Sequence, residues 1–320
     1  MKILRFQPIM KQTLWGGKRI ATFKQFDCTN SNIGESWELS GVAGNETTCV
    51  TMGGKSLNTL VAEYKDRLVG KANYERFGNE FPLLIKFIDA HQDLSIQVHP
   101  DDATALRQGK TRGKTEMWYL MHSDAGAKLY SGLKQQITPE QYKTMVEDGS
   151  ICDALAQYSV KEDDVFFLPA GRIHSIGSGC FLVEIQQTSD VTYRIYDFKR
   201  KDKDGNYRQL HTDEAAEAID FTIYDDYRTL YTPCKNRAVE LVNCPYFTTN
   251  VYDINRPTPI ETAKHDTFII LIVVKGEGTI TTDEGEMTQV ATGDTLLIAA
   301  ENKHLVADGN IKLLETHINQ

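Results

Sequence analysis

The chain has 320 residues, 41% of them hydrophobic, which is enough for one large or two ordinary domains with a true core. Its formal net charge of −9 disfavours a nucleic-acid partner, because duplex binding normally needs a clustered basic face. Neither an apolar leader nor a stretch approaching the roughly 18–20 apolar residues of a membrane span occurs, so we expect a soluble cytoplasmic protein without a membrane partner.

Short β-like segments, separated by Gly, Pro, Asn and Asp, dominate the chain and are typical of a sandwich or barrel. In chain order they include residues 82–88, 117–121, 165–168, 181–185 and 268–274. Helical patterning occurs in three further segments, which are residues 56–64, 138–158 and 212–219. We therefore predict a mainly β protein with a few added helices.

The segment from Gln97 to Pro100 places two metal-capable side chains two residues apart. Because side chains alternate along a strand, Gln97 and His99 would project from one face. Pro100 supports this interpretation, since the residue before a proline is pushed towards extended backbone angles. We therefore predict that His99 lies at the end of a strand.

Two further features follow this motif. Asp101 and Asp102 are interpreted as a turn and helix cap for residues 103–107, in preference to a catalytic role. Beyond them four cations lie within eight residues without an intervening acid, at Arg107, Lys110, Arg112 and Lys114. These cations indicate either a solvated loop or an anion-binding collar beside a metal site.

Glu116 and His174 are possible partners of Gln97 and His99. Glu116 leads into an apolar strand, where a carboxylate is costly unless it is paired or coordinated. His174 follows a turn at residues 169–171 that can aim a side chain into a barrel mouth. Two histidine nitrogens with carboxylate and amide oxygens suit a borderline divalent metal, and zinc is the first candidate.

The chain also repeats a segment at a constant offset of 130 positions. The first copy contains Asp164, Pro169 and His174, and the second contains Asp294, Ala299 and His304. A glycine-bearing hairpin precedes each copy, so we predict two small antiparallel β-barrels. The second copy offers no Gln-x-His pair or glutamate partner. We therefore expect only the first copy to hold metal, and His304 to be a surface or core histidine.

Six segments within residues 10–200 resemble the type I mannose-6-phosphate isomerases, a bicupin family, in family order. They are residues 33–38, 82–89, 94–101, 113–118, 170–175 and 184–194. The resemblance implies two cupin domains of the antiparallel jelly-roll type. A catalytic domain with helical additions would cover residues 1–232, and a degenerate cupin domain would cover residues 233–320.

The resemblance also implies the site residues. One zinc ion per chain would be held by Gln97, His99, Glu116 and His174. Catalytic roles would belong to Arg194 and Lys114, and sugar-phosphate contacts to Lys86, Ser95 and Glu184. The enzyme would interconvert mannose 6-phosphate and fructose 6-phosphate through an enediol or enediolate. Its base stays open between Lys114 and a metal-bound water or hydroxide.

The residues leave several alternatives open. Lys86 could instead be an edge-strand lysine that discourages aggregation, and Arg194 could form a structural ion pair with Asp190 or Asp197. Another cupin chemistry, such as an iron-dependent oxygenase or a different sugar-phosphate isomerase, is the alternative among enzymes. A silent sugar-phosphate sensor is the alternative outside enzymes. The oligomeric state is open between a monomer and a weak dimer.

Overall fold

The structure is a computed structural model that describes residues 3–25, 32–202, 204–262 and 266–318. Strands dominate this part of the chain, so the predicted mainly β architecture is confirmed. In chain order the strands are β1 Leu4–Gln7, β2 Ile9–Gly17, β3 Ile33–Leu39, β4 Thr48–Cys49, β5 Lys55–Ser56, β6 Leu83–Asp89, β7 Ile96–Val98, β8 Glu116–Ser123, β9 Lys128–Leu133, β10 Leu155–Ser159, β11 Val165–Leu168, β12 His174–Ile176, β13 Cys180–Gln187, β14 Tyr193–Tyr196, β15 Val239–Asn243, β16 Thr248–Ile254, β17 Thr258–Glu261, β18 Ile269–Thr282, β19 Met287–Ala291, β20 Thr295–Ile298 and β21 His304–His317.

Short helices lie between the strands. They are α1 Arg19–Phe23, α2 Leu57–Tyr64, α3 Asp66–Val69, α4 Lys71–Phe77, α5 Asp102–Arg107, α6 Pro139–Asp148 and α7 Thr212–Ala218. Single 3₁₀ turns cover Val50–Met52 and Ile151–Ala154. Among the described helices, none is long and apolar enough to cross a membrane.

All three predicted helices are present, and one of them is shorter than predicted. α2 and α7 match their predicted ends to within one residue. α6 begins after its cap at Thr138, but it ends where Gly149 adopts a left-handed φ of 87°. The prediction of helix for residues 149–158 is wrong, because β10 occupies the end of this range and pairs with β9.

One compact unit consists of residues 1–9, 37–84 and 229–320. Its strands form an antiparallel sheet in the order β15-β16-β21-β18-β20-β1-β4-β5, with β17 attached to β21 and β19 attached to β18. Alternate residues of the two long strands, β18 and β21, face an apolar core that includes Leu271 and Leu313. The C-terminal strands therefore have a core of their own.

The other compact unit consists of residues 10–36 and 85–228. Its strands belong to a five-stranded sheet, in the order β10-β9-β12-β7-β14, and to a six-stranded sheet, in the order β11-β8-β13-β6-β3-β2. One apolar cluster contains Trp118, and a second contains Ile96 and Val98. Every residue predicted for the functional site lies within this unit.

The predicted division of the chain into residues 1–232 and 233–320 stays a prediction about domains. The compact units group the chain differently, because residues 1–9 and 37–84 belong with residues 229–320. Two separate barrels likewise stay a prediction, whereas antiparallel pairing throughout the long strands is observed.

The predicted repeat is visible in the local structure. β20 follows β11 at the same offset of 130 positions that separates the repeated residues. Before each of these strands an aspartate, Asp164 or Asp294, accepts the backbone N–H three residues earlier, at 3.1 and 2.9 Å respectively. β12 begins at a buried His174, whereas β21 begins at an exposed His304. The two copies therefore share their turn and differ in the surroundings of the histidine.

Candidate metal centre

The five-stranded sheet places three of the predicted site residues side by side. β7 lies between β12 and β14, so Gln97 has His174 and Arg194 as its direct cross-strand partners. The amide nitrogen of Gln97 lies 3.3 Å from Nε2 of His174. The amide group would therefore have to rotate by half a turn before its oxygen faced a metal. His99 follows the end of β7, as predicted, and is 2% exposed.

Glu116 reaches the same place from the six-stranded sheet. It is the first residue of β8 and is fully buried. His99, Glu116 and His174 each offer one ligand atom, and these atoms lie within 4.8 Å of one another. Glu116 oxygens lie 3.5 Å from Nε2 of His99 and 3.3 Å from Nε2 of His174. Three of the four predicted ligands therefore form one buried cluster, with Gln97 beside it.

The atoms at the centre of this cluster have the properties of metal ligands. Nε2 of His99 and both carboxylate oxygens of Glu116 are buried and make no hydrogen bond. Nδ1 of His99 and Nδ1 of His174 each lie 2.8 Å from a backbone carbonyl oxygen, that of Val191 and that of Arg172 respectively. These contacts place the ring proton on Nδ1 and leave the lone pair of Nε2 facing the cluster. The donor set therefore fits a divalent metal.

Burial sets the protonation of the two histidines. It lowers the pKa of His99 well below the usual value, and the charges of Lys114 and His174 lower it further. Burial also lowers the pKa of His174 to about 4, where the hydrogen bond to Arg172 opposes the effect and the Lys114 charge adds to it. Both rings are therefore neutral near pH 7, which is the form that binds a metal.

Two lysines and a second glutamate border the cluster. Nζ of Lys86 lies 3.0 Å from Oε1 of Glu184, and Nζ of Lys114 lies 3.7 Å from the same oxygen. Lys114 also lies 2.9 Å from Oε2 of Glu116, as an ion pair that lacks hydrogen-bond geometry. All four side chains are buried. Two positive and two negative groups therefore lie together away from water.

These neighbours shift the pKa values in opposite directions. Burial and the Glu184 carboxylate raise the pKa of Glu116. For Glu184, burial is outweighed by the charges of Lys114 and Lys86, which lower its pKa. For Lys86, burial is outweighed by the carboxylates of Glu184 and Glu35, which raise its pKa. Glu184 and Lys86 therefore stay charged at neutral pH, and Glu116 is the carboxylate that a cation would stabilise most.

The position of Lys86 decides between its two sequence interpretations. β6, which carries Lys86, lies between β13 and β3 in the six-stranded sheet. A lysine on an interior strand, buried and paired with a carboxylate, does not protect a sheet edge. The edge-strand interpretation is therefore wrong.

Arg194 lies beside the cluster through its pairing with Gln97. Its guanidinium donates a hydrogen bond to the Gln209 carbonyl at 3.0 Å, and its buried Nε makes no hydrogen bond. Asp197 pairs with two other arginines, Arg200 and Arg208. Among the contacts of the described residues, neither predicted aspartate partner binds Arg194.

Comparison with known proteins adds a second, independent line of information. A family model described as phosphomannose isomerase type I, catalytic domain, matches residues 3–113, and one described as mannose-6-phosphate isomerase, cupin domain, matches residues 237–318. A mannose-6-phosphate isomerase of Streptococcus mutans is 32% identical over 99% of this chain and 98% of that protein. The chain belongs to the mannose-6-phosphate isomerase family.

Solved structures of mannose-6-phosphate isomerases share the fold. The crystal structure of the Bacillus subtilis protein matches with a TM-score of 0.89 at 27% identity and covers 99% of this chain and 100% of that one. A mannose 6-phosphate isomerase bound with zinc and yttrium matches with a TM-score of 0.80 over 100% of both chains. Its identity is 15%, so this likeness concerns the fold. The family resemblance seen in the sequence is confirmed.

In this member of the mannose-6-phosphate isomerase family, Trp118 lies at the site although the sequence did not predict a role for it. Nε1 of Trp118 donates a hydrogen bond to Oε2 of Glu184 at 2.9 Å. The indole also meets the ring of His174 edge-on, with centroids 5.2 Å apart. Trp118 lies two residues after Glu116 on one strand, so the strand period of two places both side chains on the same face. That period is the signal in the sequence that identifies Trp118.

The basic segment at residues 107–114 does not act as a unit. Lys114 is buried at the cluster, whereas Arg107 and Lys110 are exposed. Arg112 is half-buried, and its backbone carbonyl accepts a hydrogen bond from Ser189 at 3.3 Å. The solvated-loop interpretation therefore fits the start of the segment, and Lys114 alone of these four cations contacts the described cluster.

Two remaining predicted residues flank β7. Asp101 caps α5 by accepting the Thr104 N–H at 2.7 Å, so its predicted structural role is confirmed. Ser95 is buried two residues before Gln97. Within the described part of the chain, no contact joins its side chain to the cluster, and its substrate role stays a prediction.

Proposed function

We propose that this chain is a zinc-dependent mannose-6-phosphate isomerase, which interconverts mannose 6-phosphate and fructose 6-phosphate. The observation that carries the proposal is the buried cluster of His99, Glu116 and His174, whose ligand atoms lie within 4.8 Å of one another. Membership of the family supports the choice of reaction. The charged lysines beside the cluster support a phosphorylated substrate.

The cluster suits one zinc ion per chain. His99, Glu116 and His174 would hold the ion, and Gln97 would add its amide oxygen. Nε2 of His99 and Oε1 of Glu116, which are buried and make no hydrogen bond, support this assignment, because buried acceptors without a donor are costly. When bound, zinc supplies a Lewis acid that polarises the substrate carbonyl and stabilises the negative charge that develops on its oxygen.

The surrounding cations would bind and orient the sugar phosphate. Lys86 is held by Glu184 at 3.0 Å, so its ammonium group is in place before the substrate arrives. The buried Nε of Arg194 is available as a donor, and a planar guanidinium suits phosphate or the paired oxygens of an enediolate. We assign Lys86, Glu184 and Ser95 to the sugar-phosphate pocket, and Arg194 to the oxygens that gain charge.

Isomerisation moves one proton between neighbouring carbon atoms. The proton on C2 of the aldose leaves to a base and returns to C1, while O1 and O2 exchange carbonyl and hydroxyl character. Lys114 lies 2.9 Å from Glu116 and 3.7 Å from Glu184, so carboxylates on both sides orient its side chain. We assign Lys114 to this proton transfer: its neutral amine would accept the proton from C2, and the resulting ammonium group would return it to C1.

Elemental analysis combined with an activity assay tests the proposal. The purified protein should contain one equivalent of zinc per chain and convert mannose 6-phosphate into fructose 6-phosphate. Chelation should remove both the zinc and the turnover, and added zinc should restore both. Stoichiometric metal without turnover would contradict the isomerase assignment and leave the metal centre standing.

We further propose that sugar phosphate is the principal partner and that neither nucleic acid nor membrane binds the chain. The net charge of −9 supports the first exclusion. A phosphorylated sugar does not cross a membrane unaided, which supports a cytoplasmic location for the reaction. Sedimentation at several protein concentrations would decide between a monomer and a weak dimer.

A further inference from the structure

Trp118 joins the charged site to the apolar core of its own unit. It lies directly opposite Glu184 in the antiparallel pairing of β8 with β13, so both side chains project from the same face. The indole is fully buried and belongs to the apolar cluster that contains Leu120 and Leu182. Its polar edge leaves that cluster, and Nε1 donates a hydrogen bond to Oε2 of Glu184 at 2.9 Å.

The two oxygens of Glu184 have different donors. Oε1 lies 3.0 Å from Nζ of Lys86 and 3.7 Å from Nζ of Lys114. Among the contacts of the described residues, the donor to Oε2 is the indole N–H of Trp118. A buried carboxylate oxygen without a donor is unfavourable, so loss of the indole N–H would turn the carboxylate until both oxygens share the lysines. The indole therefore holds the carboxylate in one orientation.

The orientation of Glu184 in turn decides the position of Lys114. This lysine is closer to Glu116, at 2.9 Å, than to Glu184, at 3.7 Å. A turned carboxylate would present its second oxygen to Lys114 and draw the ammonium group away from Glu116. The packed indole prevents that turn, because its ring is held by the apolar cluster on one side and meets the His174 ring edge-on.

We propose that Trp118 is a positioning residue, which acts through Glu184 to keep Lys114 beside Glu116. The effect on turnover rests on the proposed function, because it requires Lys114 to take part in the reaction. The effect on the Glu184 carboxylate is independent of turnover. The two parts of the proposal can therefore be measured separately.

Proton NMR of the indole groups in the zinc-loaded full chain tests the contact itself. The chain has three tryptophans, and the variants Trp15→Phe and Trp37→Phe identify the Trp118 N–H resonance by elimination. Glu184→Gln should move this resonance upfield, because a neutral amide is a weaker acceptor than a carboxylate. The resonances of the other two tryptophans should stay in place. An unmoved Trp118 resonance would overturn the proposal.

Steady-state kinetics test the consequence for turnover. Trp118→Phe keeps an aromatic side chain, although a smaller one, and removes the N–H, so kcat should fall about tenfold, the effect of one lost hydrogen bond to a charged group. KM should change less than about twofold, and the zinc content should be unchanged. Trp15→Phe, the same replacement in the same apolar cluster, is the matched control and should keep kcat. Equal losses in both variants, or an unchanged kcat in Trp118→Phe, would contradict a positioning role.

A double variant tests whether Trp118 acts through Glu184. Trp118→Phe combined with Glu184→Gln should be no slower than Glu184→Gln alone, because the indole has then lost the group that it positions. Fully additive losses would overturn the proposed route. An inactive wild-type protein would refute the proposed function instead. The NMR measurement distinguishes this failure from failure of the positioning role, because it needs no turnover and is made on proteins that retain Trp118.

Discussion

At the scale of single residues, the site depends on buried charges that compensate one another. Lys86 with Glu184 and Lys114 with Glu116 form close pairs, at 3.0 and 2.9 Å, with all four side chains buried. Removing one member of such a pair leaves an uncompensated buried charge, which typically costs about 3–5 kcal/mol. For substitutions at these positions, the free energy of unfolding is therefore measured together with function.

The ligand assignment makes a direct prediction. His99→Ala and Glu116→Ala should each lose bound zinc and at least about 10²-fold of the isomerase activity, because each removes a donor from the cluster. His304→Ala should keep both, since its side chain is exposed at the start of β21. Elemental analysis and the isomerase assay measure the two properties on the same samples. Loss of metal from His304→Ala would show that the assignment to the first copy is wrong.

From the sequence, the residues proposed as ligands could be grouped more readily than their charged neighbours. Gln97 and His99 are two residues apart, so strand periodicity alone places them together. Lys86 and Glu184 are 98 positions apart, and their contact depends on β6 and β13 being neighbours in the sheet. No local pattern encodes that pairing. For this reason the sequence alone left open the interpretation of Lys86 as an edge-strand lysine.

At the scale of elements, α6 shows how local signals determine where a helix begins. The Thr138 side chain accepts the Gln141 N–H while the Gln141 side chain accepts the Thr138 N–H, which forms a complete capping box. Pro139 occupies the first helical position, where its missing N–H costs nothing. These three residues are adjacent in the chain, so the start of the helix could be predicted.

Removal of this cap should destabilise the protein measurably. Thr138→Ala should lower the free energy of unfolding by about 1 kcal/mol, because the backbone N–H of Gln141 loses its acceptor. Thr144→Ala, an exposed threonine in the middle of the same helix, is the matched control and should change stability by less than about 0.5 kcal/mol. Urea unfolding measures both. Equal destabilisation by the two variants would contradict a capping role.

The end of α6 could not be predicted in the same way. The apolar spacing of residues 149–158 is compatible with a helix, yet Leu155 pairs with Leu133 and Tyr158 pairs with Leu129 across two strands. Strand pairing with a distant partner outweighs local helical preference here. Gly149, with a left-handed φ of 87°, is the one local signal for the end of the helix.

At the scale of the whole molecule, the two compact units could not be inferred from the linear order of the chain. β1, near the N-terminus, pairs with β20, near the C-terminus, with Leu4 opposite Leu297. Such a pairing has no signature in a local sequence window. The predicted boundary at residue 232 treats the chain as two consecutive pieces, whereas residues 1–9 and 37–84 belong with residues 229–320.

Acid stability of the molecule should depend on Asp197. Burial raises its pKa, but hydrogen bonds from Arg208 and Arg200 outweigh this effect and lower it. Because the folded-state pKa is depressed, the stabilisation is complete above pH of about 4 and is lost as the pH falls through the folded-state value. Asp197→Asn should therefore destabilise by about 2 kcal/mol at pH 7, and the difference should shrink below pH of about 4.

Urea unfolding at pH 7 and at pH 3 would measure this difference. Asp225→Asn, at an exposed position in the same unit, is the control. Its free energy of unfolding should be close to that of the wild type at both pH values. A loss in Asp197→Asn that is the same at both pH values would show that the carboxylate charge is not the source of the stabilisation.

The repeated turn has a consequence for how this chain can change over generations. Asp164 and Asp294 close the same turn in both copies, whereas His174 is buried at the cluster and His304 faces water. A mutation in the turn should therefore impair folding in either copy. A mutation at the histidine position should impair metal binding in the first copy alone. The second copy is free to drift at that position, and related chains should keep its aspartate while varying its histidine.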